Sequence, residues 1–410
     1  MTDGGYRSAL RVPEFRAVFA AHTVAMAGAV MANFALTVLV YTRTRSPLLS
    51  GIVFTIVLAP HLIGGTFLSA LVDRIPARRL LVACNLVSAA LAATMAARGM
   101  PIAALLVLAL ALGMVETVFI GARAATLPDV LPGAAYVPGR SLMRMVAQGA
   151  QTVGYAISGL LMTTLAPAQV LLLNAGCFVA SALILRFGTR KRGVPGRGSQ
   201  HSLLRDSLSG LGQVIRVPAL RDILVLGWAV PALAVVPEAL AVPYAASWQA
   251  SPLAAGLLMS SIPVGTLLGE IVASNALPAT WQVRLIYPAV VGLFVPLLIF
   301  VARPVIWLAV LALFISGTFS WFHLGQDRRL LDAAPEDLRG RALSIQSAGL
   351  MFWQGVGFAL AGAAAELLAP SLVIFLAAVI GIAFGLFIAV GSRRRDAGPK
   401  PVPDVAHSER

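Results

Sequence analysis

Two stretches, PIAALLVLALALGMVETVFIGA at 101–122 and SLVIFLAAVIGIAFGLFIAV at 371–390, are apolar almost throughout, and Glu116 is their one charged residue. A helix rises 1.5 Å per residue, so about 20 apolar residues span ~30 Å of hydrocarbon. Lipid offers the backbone no hydrogen-bond partner, which leaves helices as the simplest solution for runs of this kind. The whole chain shares the bias. Its 410 residues are 59% hydrophobic and 12% charged, with a mean hydropathy of +0.87, whereas soluble domains carry roughly 25% charged residues. A soluble globular protein is excluded.

Apolar runs read against Pro, Gly and Arg punctuation predict twelve crossings, at 15–41, 48–72, 79–98, 101–125, 141–165, 168–187, 220–246, 252–276, 284–302, 304–327, 342–368 and 371–391. The first is too long for a signal-peptide core and lacks a small-residue cleavage pattern after it, so it is expected to be retained. The expected fold is an all-α membrane protein with both termini in the cytoplasm. In that orientation all of the 31 Lys and Arg except Arg43, Arg45, Arg98 and Arg303 fall on the cytoplasmic side. The net charge of +14 is therefore an anchoring charge facing anionic lipid, and nucleic acid is not an expected partner.

Chemistry-bearing motifs are scarce. Cys84 and Cys177 sit inside expected spans and suit packing better than a disulfide or metal. The five His show no paired ligand spacing, and neither a Ser-His-Asp pattern nor a Gly-rich phosphate loop followed by Lys occurs. No enzyme activity, metal or cofactor is expected.

The chain repeats itself. RVPEFRAVFA at 11–20 returns as RVPALRDILV at 216–225, so Arg11, Val12, Pro13 and Arg16 recur as Arg216, Val217, Pro218 and Arg221. Asp129, Pro132, Gln151, Gly154, Gly159 and Pro167 recur as Asp332, Pro335, Gln354, Gly357, Gly362 and Pro370. Nearly equal offsets at both ends of each set imply six helices repeated in the same orientation. The expected domains are a six-helix bundle over 1–187, a cytoplasmic linker over 188–219, a second bundle over 220–391 and a basic tail over 392–410. Within the linker, Leu203, Leu204, Leu208, Leu211, Val214 and Ile215 form one apolar helical face, suited to the inner membrane surface; a flexible linker with incidental periodicity is the other reading.

Two parallel six-helix halves joined by a basic linker resemble the major facilitator superfamily over essentially the whole chain. ALTVLVYTRTRSPLLSG, LVDRIPARR and APEDLRGRALS look like its drug and siderophore exporters, the branch that includes macrolide efflux proteins and the enterobactin exporter. The superfamily's signature between its second and third spans, G-x-x-x-D-R-x-G-R-R, is similar to SALVDRIPARR here. Asp73, Arg74 and Arg78 fit it, while Ser69, Pro76 and Ala77 depart. The resemblance implies a cytoplasmic gate of Asp73, Arg74 and Arg78 with Arg123 and Arg144, facing Asp327, Asp332, Glu336, Arg339 and Arg341. A solvated cluster of mixed charges is the alternative. The antiporter signature G-P-x-x-G-G survives as GYAISG, with Tyr155 and Ser158 replacing Pro and Gly. Gly154, Gly159, Gly357 and Gly362 are expected to let helices approach closely.

Ionisable groups inside spans cost on the order of 3 kcal/mol at mid-bilayer and need a reason to be there. His22, His61, Glu116, Glu238 and His323 qualify, and spans one, four, seven and ten line the cavity in the family resembled. Glu238, set among Pro231, Pro237 and Pro243 without a basic residue nearby in sequence, is the first candidate for carrying a proton. Glu116 is a candidate for coupling or substrate contact, or is paired structurally with Arg123 seven residues on or with Arg144. His22, His323, Asn33, Gln148, Gln151 and Gln354 are candidate polar lining, each equally readable as an interhelical hydrogen bond. Glu366 is expected to meet water at the outer end.

The expectation is a monomeric, inner-membrane secondary transporter that works by alternating access and exports a small apolar or amphipathic compound in exchange for protons. An importer or facilitator of the same fold is one alternative. A membrane sensor or scaffold that transports nothing is another.

Overall fold

A computed structural model describes residues 6–67, 75–131, 133–190, 192, 218–336 and 338–396. Those residues build helices and no strand. A five-residue turn of helix, Tyr6–Leu10, precedes α1 Pro13–Thr44, α2 Pro47–Phe67, α3 Ala77–Met95, α4 Ile102–Val130, α5 Tyr136–Leu161 and α6 Pro167–Gly188. Then come α7 Pro218–Ala234, α8 Val236–Ser247, α9 Pro252–Ala276, α10 Ala279–Arg284 and α11 Ile286–Phe294, the last running into a 3-10 helix, Val295–Ala302. The chain continues as α12 Ile306–Gly317, α13 Phe322–Ala333, α14 Arg339–Leu367 and α15 Pro370–Asp396. Pro stands at the first turn of α1, α6 and α9, where its missing N–H costs nothing and its fixed φ fits the helix. The linker helix expected around 203–215 lies outside the described residues.

Nine segments among the described residues are long and apolar enough to cross a membrane, and Pro47–Pro60 and Ile286–Ala302 are shorter apolar helices. Helix α5 is not among the nine: Arg144, Gln148 and Gln151 make it too polar, and Gln148 and Gln151 are what it presents to the interior.

Two stretches expected to be single helices are broken. Span seven divides at Val235 between α7 and α8, because Pro237 has no N–H to return to the carbonyl one turn earlier and its ring crowds that carbonyl. Span ten divides at Thr318–Trp321, between α12 and α13. There the Thr318 hydroxyl donates to the Ile315 carbonyl at 2.7 Å, and Phe319 and Ser320 bond only three residues back, at 3.1 and 2.9 Å. A Cβ on Gly269 of α9 would stand 2.9 Å from the Thr318 Cα, so this irregular turn is seated on a glycine.

The sequence repeat has a physical counterpart. Gly154 and Gly357, 203 residues apart, each abut the first long helix of their own half, Gly154 on Val30 of α1 and Gly357 on Ala232 of α7. Gly159 and Gly362 instead cross to the other half. A Cβ on Gly159 would lie 2.9 Å from the Pro252 carbonyl oxygen and 3.0 Å from the Gly256 Cα; one on Gly362 would lie 2.7 Å from the Pro47 oxygen and 2.8 Å from the Leu48 Cα. The halves therefore meet along α5 with α9 and α2 with α14, sealed by backbone-to-backbone contact at the end of the bundle that holds Pro47 and Pro252. At the opposite end a Cβ on Gly340 would meet nothing within 4 Å, and Arg144 and Asp327 are exposed. The end that holds Pro47 and Pro252 is shut.

Candidate functional site

The chain break at Val235 delivers Glu238 into the first turn of α8, where aligned backbone N–H groups favour an anion. The Tyr155 hydroxyl of α5 donates to its Oε1 at 2.8 Å. Tyr155 is buried, at 3% exposure, and its oxygen is in turn hydrogen-bonded by the Gln151 side chain. Gln151, Tyr155 and Glu238 thus form a polar chain that crosses between the halves. It stands in a largely apolar setting of Val235, Val236, Leu240 and Phe54.

Tyr155 and Gln151 also line a cavity of about 280 Å³, together with Asn33, Glu116, Gln148 and an apolar majority that includes Met26, Leu36 and Phe178. Helices α1 to α6, all of the first half, supply these residues. Apolar walls with a few convergent polar groups describe a small-molecule site. Asn33, Glu116, Gln148 and Gln151, each expected as lining, are brought together here. The Asn33 Oδ1 is buried among them.

Glu116 is shared with a smaller pocket of about 20 Å³ that also holds His22, Asn85 and Ser88 among apolar side chains. His22 is 3% exposed, and Arg123 of α4 hydrogen-bonds its Nδ1. A guanidinium can only donate, so this nitrogen of His22 is the acceptor in the contact. Arg123 also lies in the field of Glu116. The expected cytoplasmic-gate role of Arg123 thus meets a different placement: its side chain points into the first half, toward His22 and Glu116, because a guanidinium this far inside needs an acceptor and a counter-charge.

The other gate candidates divide. Asp73 and Arg74 lie outside the described residues. Arg78 hydrogen-bonds the Arg186 carbonyl at the end of α6 and so ties two helices of the same half. Glu336 and Arg339 pair with each other at 3.6 Å and Arg339 also donates to the Leu331 carbonyl at 3.2 Å, both local contacts. Asp332 and Arg341 are exposed. Arg144 does face the other half, within electrostatic reach of Asp327 and Glu270. These three charges sit at the end opposite Pro47 and Pro252.

His323 opens α13 directly after the break in span ten, with its ring 4.0 Å from that of Phe322 and hydrogen-bonded to Gln326. Gln354 lies on α14 beside Gly355, whose carbonyl accepts the Thr55 hydroxyl at 2.8 Å, which places it near the seam. Neither lines the cavity that holds Glu116. His61 belongs to a segment whose side chains are outside the description.

Two residues went unread in the sequence. Glu366 is exposed, as expected, and its carboxylate also accepts the Leu48 N–H at 3.1 Å and the Ser46 hydroxyl, so an acid from one half caps the start of α2 in the other. Glu14, within the repeated opening phrase, forms a forked pair with Arg192 at 2.5 and 2.9 Å and accepts the Arg190 N–H at 2.9 Å. The phrase thus fastens the start of the linker. Its copy carries Ala219 at the matching place.

A bundle of membrane-length helices in which two sets pack across a seam and the first set lines an apolar cavity with a few polar groups is the architecture of a membrane transporter. The family model described as Major Facilitator Superfamily matches residues 18–237, over half of the chain, and the chain belongs to that superfamily. It is a multi-pass membrane protein and not an enzyme. Among curated proteins none matches it in sequence. Among solved structures it is similar to a mutant of the nucleoside transporter NupG, with 12% identity, a TM-score of 0.74 and coverage of 93% of this chain and 99% of that one. It is also similar to a bacterial homologue of the human lysosomal transporter Spinster in an inward-facing, occupied conformation (14%, 0.68, 97% and 99%). A third is a bacterial homologue of the iron transporter ferroportin in an inward-facing state (14%, 0.66, 93% and 99%). At such identities the likeness is one of fold.

Proposed function

We propose that this protein is a proton-coupled exporter of a small apolar or amphipathic compound, working by alternating access as a monomer in the inner membrane. Twelve crossings, in bundles over 1–187 and 220–391, put both termini and the basic tail in the cytoplasm. The shut end then faces outward and the end with Arg144 and Asp327 inward. Arg144, Asp327 and Glu270 are the charges that approach as the inner end closes, by charge-assisted contacts that form and break as the halves rock.

The observation that carries the reading is Glu238: an acid at a helix break inside the bundle, joined to the opposite half through a phenol, in the arrangement of broken helices that transporters use for coupling ions. The predominance of Ala, Val, Leu and Met in the cavity wall favours an amphipathic cargo over a sugar. The sequence resemblance to drug and siderophore exporters supports the outward direction.

In proteoliposomes with an imposed pH gradient, the parent is expected to move the amphipathic dye ethidium or a siderophore against its concentration gradient. Glu238→Gln is expected to lose at least ten-fold of that driven flux while still exchanging dye across equal concentrations. A Glu238→Gln protein that pumps like the parent would remove Glu238 from the coupling role.

A further inference from the structure

Glu238 and Tyr155 sit on opposite halves, and their hydrogen bond exists in a molecule whose outer end is shut. Tyr155 belongs to α5, four residues before Gly159, the glycine that rests on Pro252 and Gly256 of the other half. Any movement that lifts Gly159 off that backbone also moves the Tyr155 hydroxyl relative to α8. A 2.8 Å bond does not survive a separation of even 1 Å at full strength.

We propose that Tyr155 is a positioning residue that ties the protonation of Glu238 to the state of the gate, donating to its carboxylate only while the outer end is closed. This rests on the reading of Glu238 as the coupling acid. With the outer end shut, the phenol O–H supplies the donor that a carboxylate needs in an apolar interior, and Gln151 holds the phenol oxygen in place. Opening the outer end withdraws the donor. The carboxylate then takes a proton from water on the outer side and becomes a neutral acid, which no longer needs the phenol. On closure the phenol O–H returns to the same oxygen, and the proton leaves Glu238 for water on the inner side. Tyr155 keeps its own proton throughout, so one proton crosses per cycle and every bond is accounted for.

That order of events gives the direction of pumping without a further element. The closed-outside state favours the bare carboxylate and the open-outside state the acid, so protons enter from outside and leave inside, the sense needed to drive export. Of the titratable and charged groups among the described residues, Tyr155 is the one set against Glu238. Glu116 lines the cavity on the first half, with Arg123 and His22 behind it.

The test needs no cargo. In a protein whose Cys84 and Cys177 are replaced by Ser, a single cysteine at Leu253, whose Cα lies across the seam against Gly159, reports opening of the outer end by its rate of reaction with N-ethylmaleimide. Across a pH series the parent is expected to label slowly at neutral pH and faster in acid. Tyr155→Phe should display the same rise displaced toward higher pH by about one unit, the size of one lost charge-assisted hydrogen bond. Glu238→Gln should label at the fast rate at every pH. Gln151→Leu should move the profile in the same sense by less, which keeps the question open to measurement if Tyr155→Phe does not fold. A Tyr155→Phe profile that overlays the parent, with Glu238→Gln flat, overturns the role of Tyr155 and leaves Glu238 as the coupling acid. A Glu238→Gln profile that still follows the parent overturns both.

Discussion

Replacing Gly159 with leucine should open the end of the molecule that is shut here. The atoms a side chain would meet are backbone, the Pro252 oxygen at 2.9 Å and the Gly256 and Leu253 Cα atoms at 3.0 and 3.1 Å, and backbone in a helix cannot swing aside as a side-chain tip can. The halves must part to admit it. The single cysteine at 253 should therefore react at least ten-fold faster in Gly159→Leu at neutral pH. Gly362→Leu should do the same, since its contacts with Pro47 and Leu48 are the counterpart across the internal repeat. Gly149→Leu is the control, because a Cβ there meets nothing within 4 Å. Equal labelling in all three would mean that the glycine contacts are not what holds the outer end closed.

Arg123→Ala should damage the fold more than the transport cycle. Removing the guanidinium strips His22 Nδ1 of its donor and takes a positive charge from the neighbourhood of Glu116, inside a pocket that also buries Asn85 and Ser88. Leaving a buried polar group unsatisfied costs about 1–3 kcal/mol. The detergent-solubilised variant is expected to melt at a lower Tm than the parent, and Arg123→Lys to recover part of the loss, since it restores the charge but not the planar fork. If Arg123→Ala melts with the parent and instead changes only the pH profile of outer opening, Arg123 belongs to the gating machinery.

Much of this architecture was written in one dimension. Apolar length marks the crossings, and the recurrence of Gly154 and Gly159 as Gly357 and Gly362 foretells two kinds of contact, each made twice. Glu238 stands out because an acid among prolines in an apolar run has no other excuse. Its partner does not stand out: Tyr155 lies 83 residues away, and a tyrosine in a membrane helix reads as packing until something polar is found opposite it. Glu366 and Glu14 were illegible for a related reason. Each is an acid near a helix end, where water is the default expectation, and only the fold brings the Leu48 N–H and Arg192 against them. Arg123 was drawn to the gate by its place at the end of a span; the acceptor that turns it inward, His22, is on another helix. The break in span ten comes from hydroxyl and glycine contacts too ordinary to read as punctuation, whereas Pro237 signals the break in span seven.

The central claim, that two halves rock in opposite senses at their two ends under the control of Glu238, is tested most directly by distances. Spin labels on Thr163→Cys and Gln249→Cys, exposed positions following α5 and α8, span the outer mouth, and labels on Arg140→Cys and Gly340→Cys span the inner one. In lipid nanodiscs the parent should show a short outer and a long inner distance at neutral pH, and acid should lengthen the first while shortening the second. Glu238→Gln should hold the acid-form distances at both pH values. Distances that stay fixed across pH, or that lengthen together at both ends, would contradict the account.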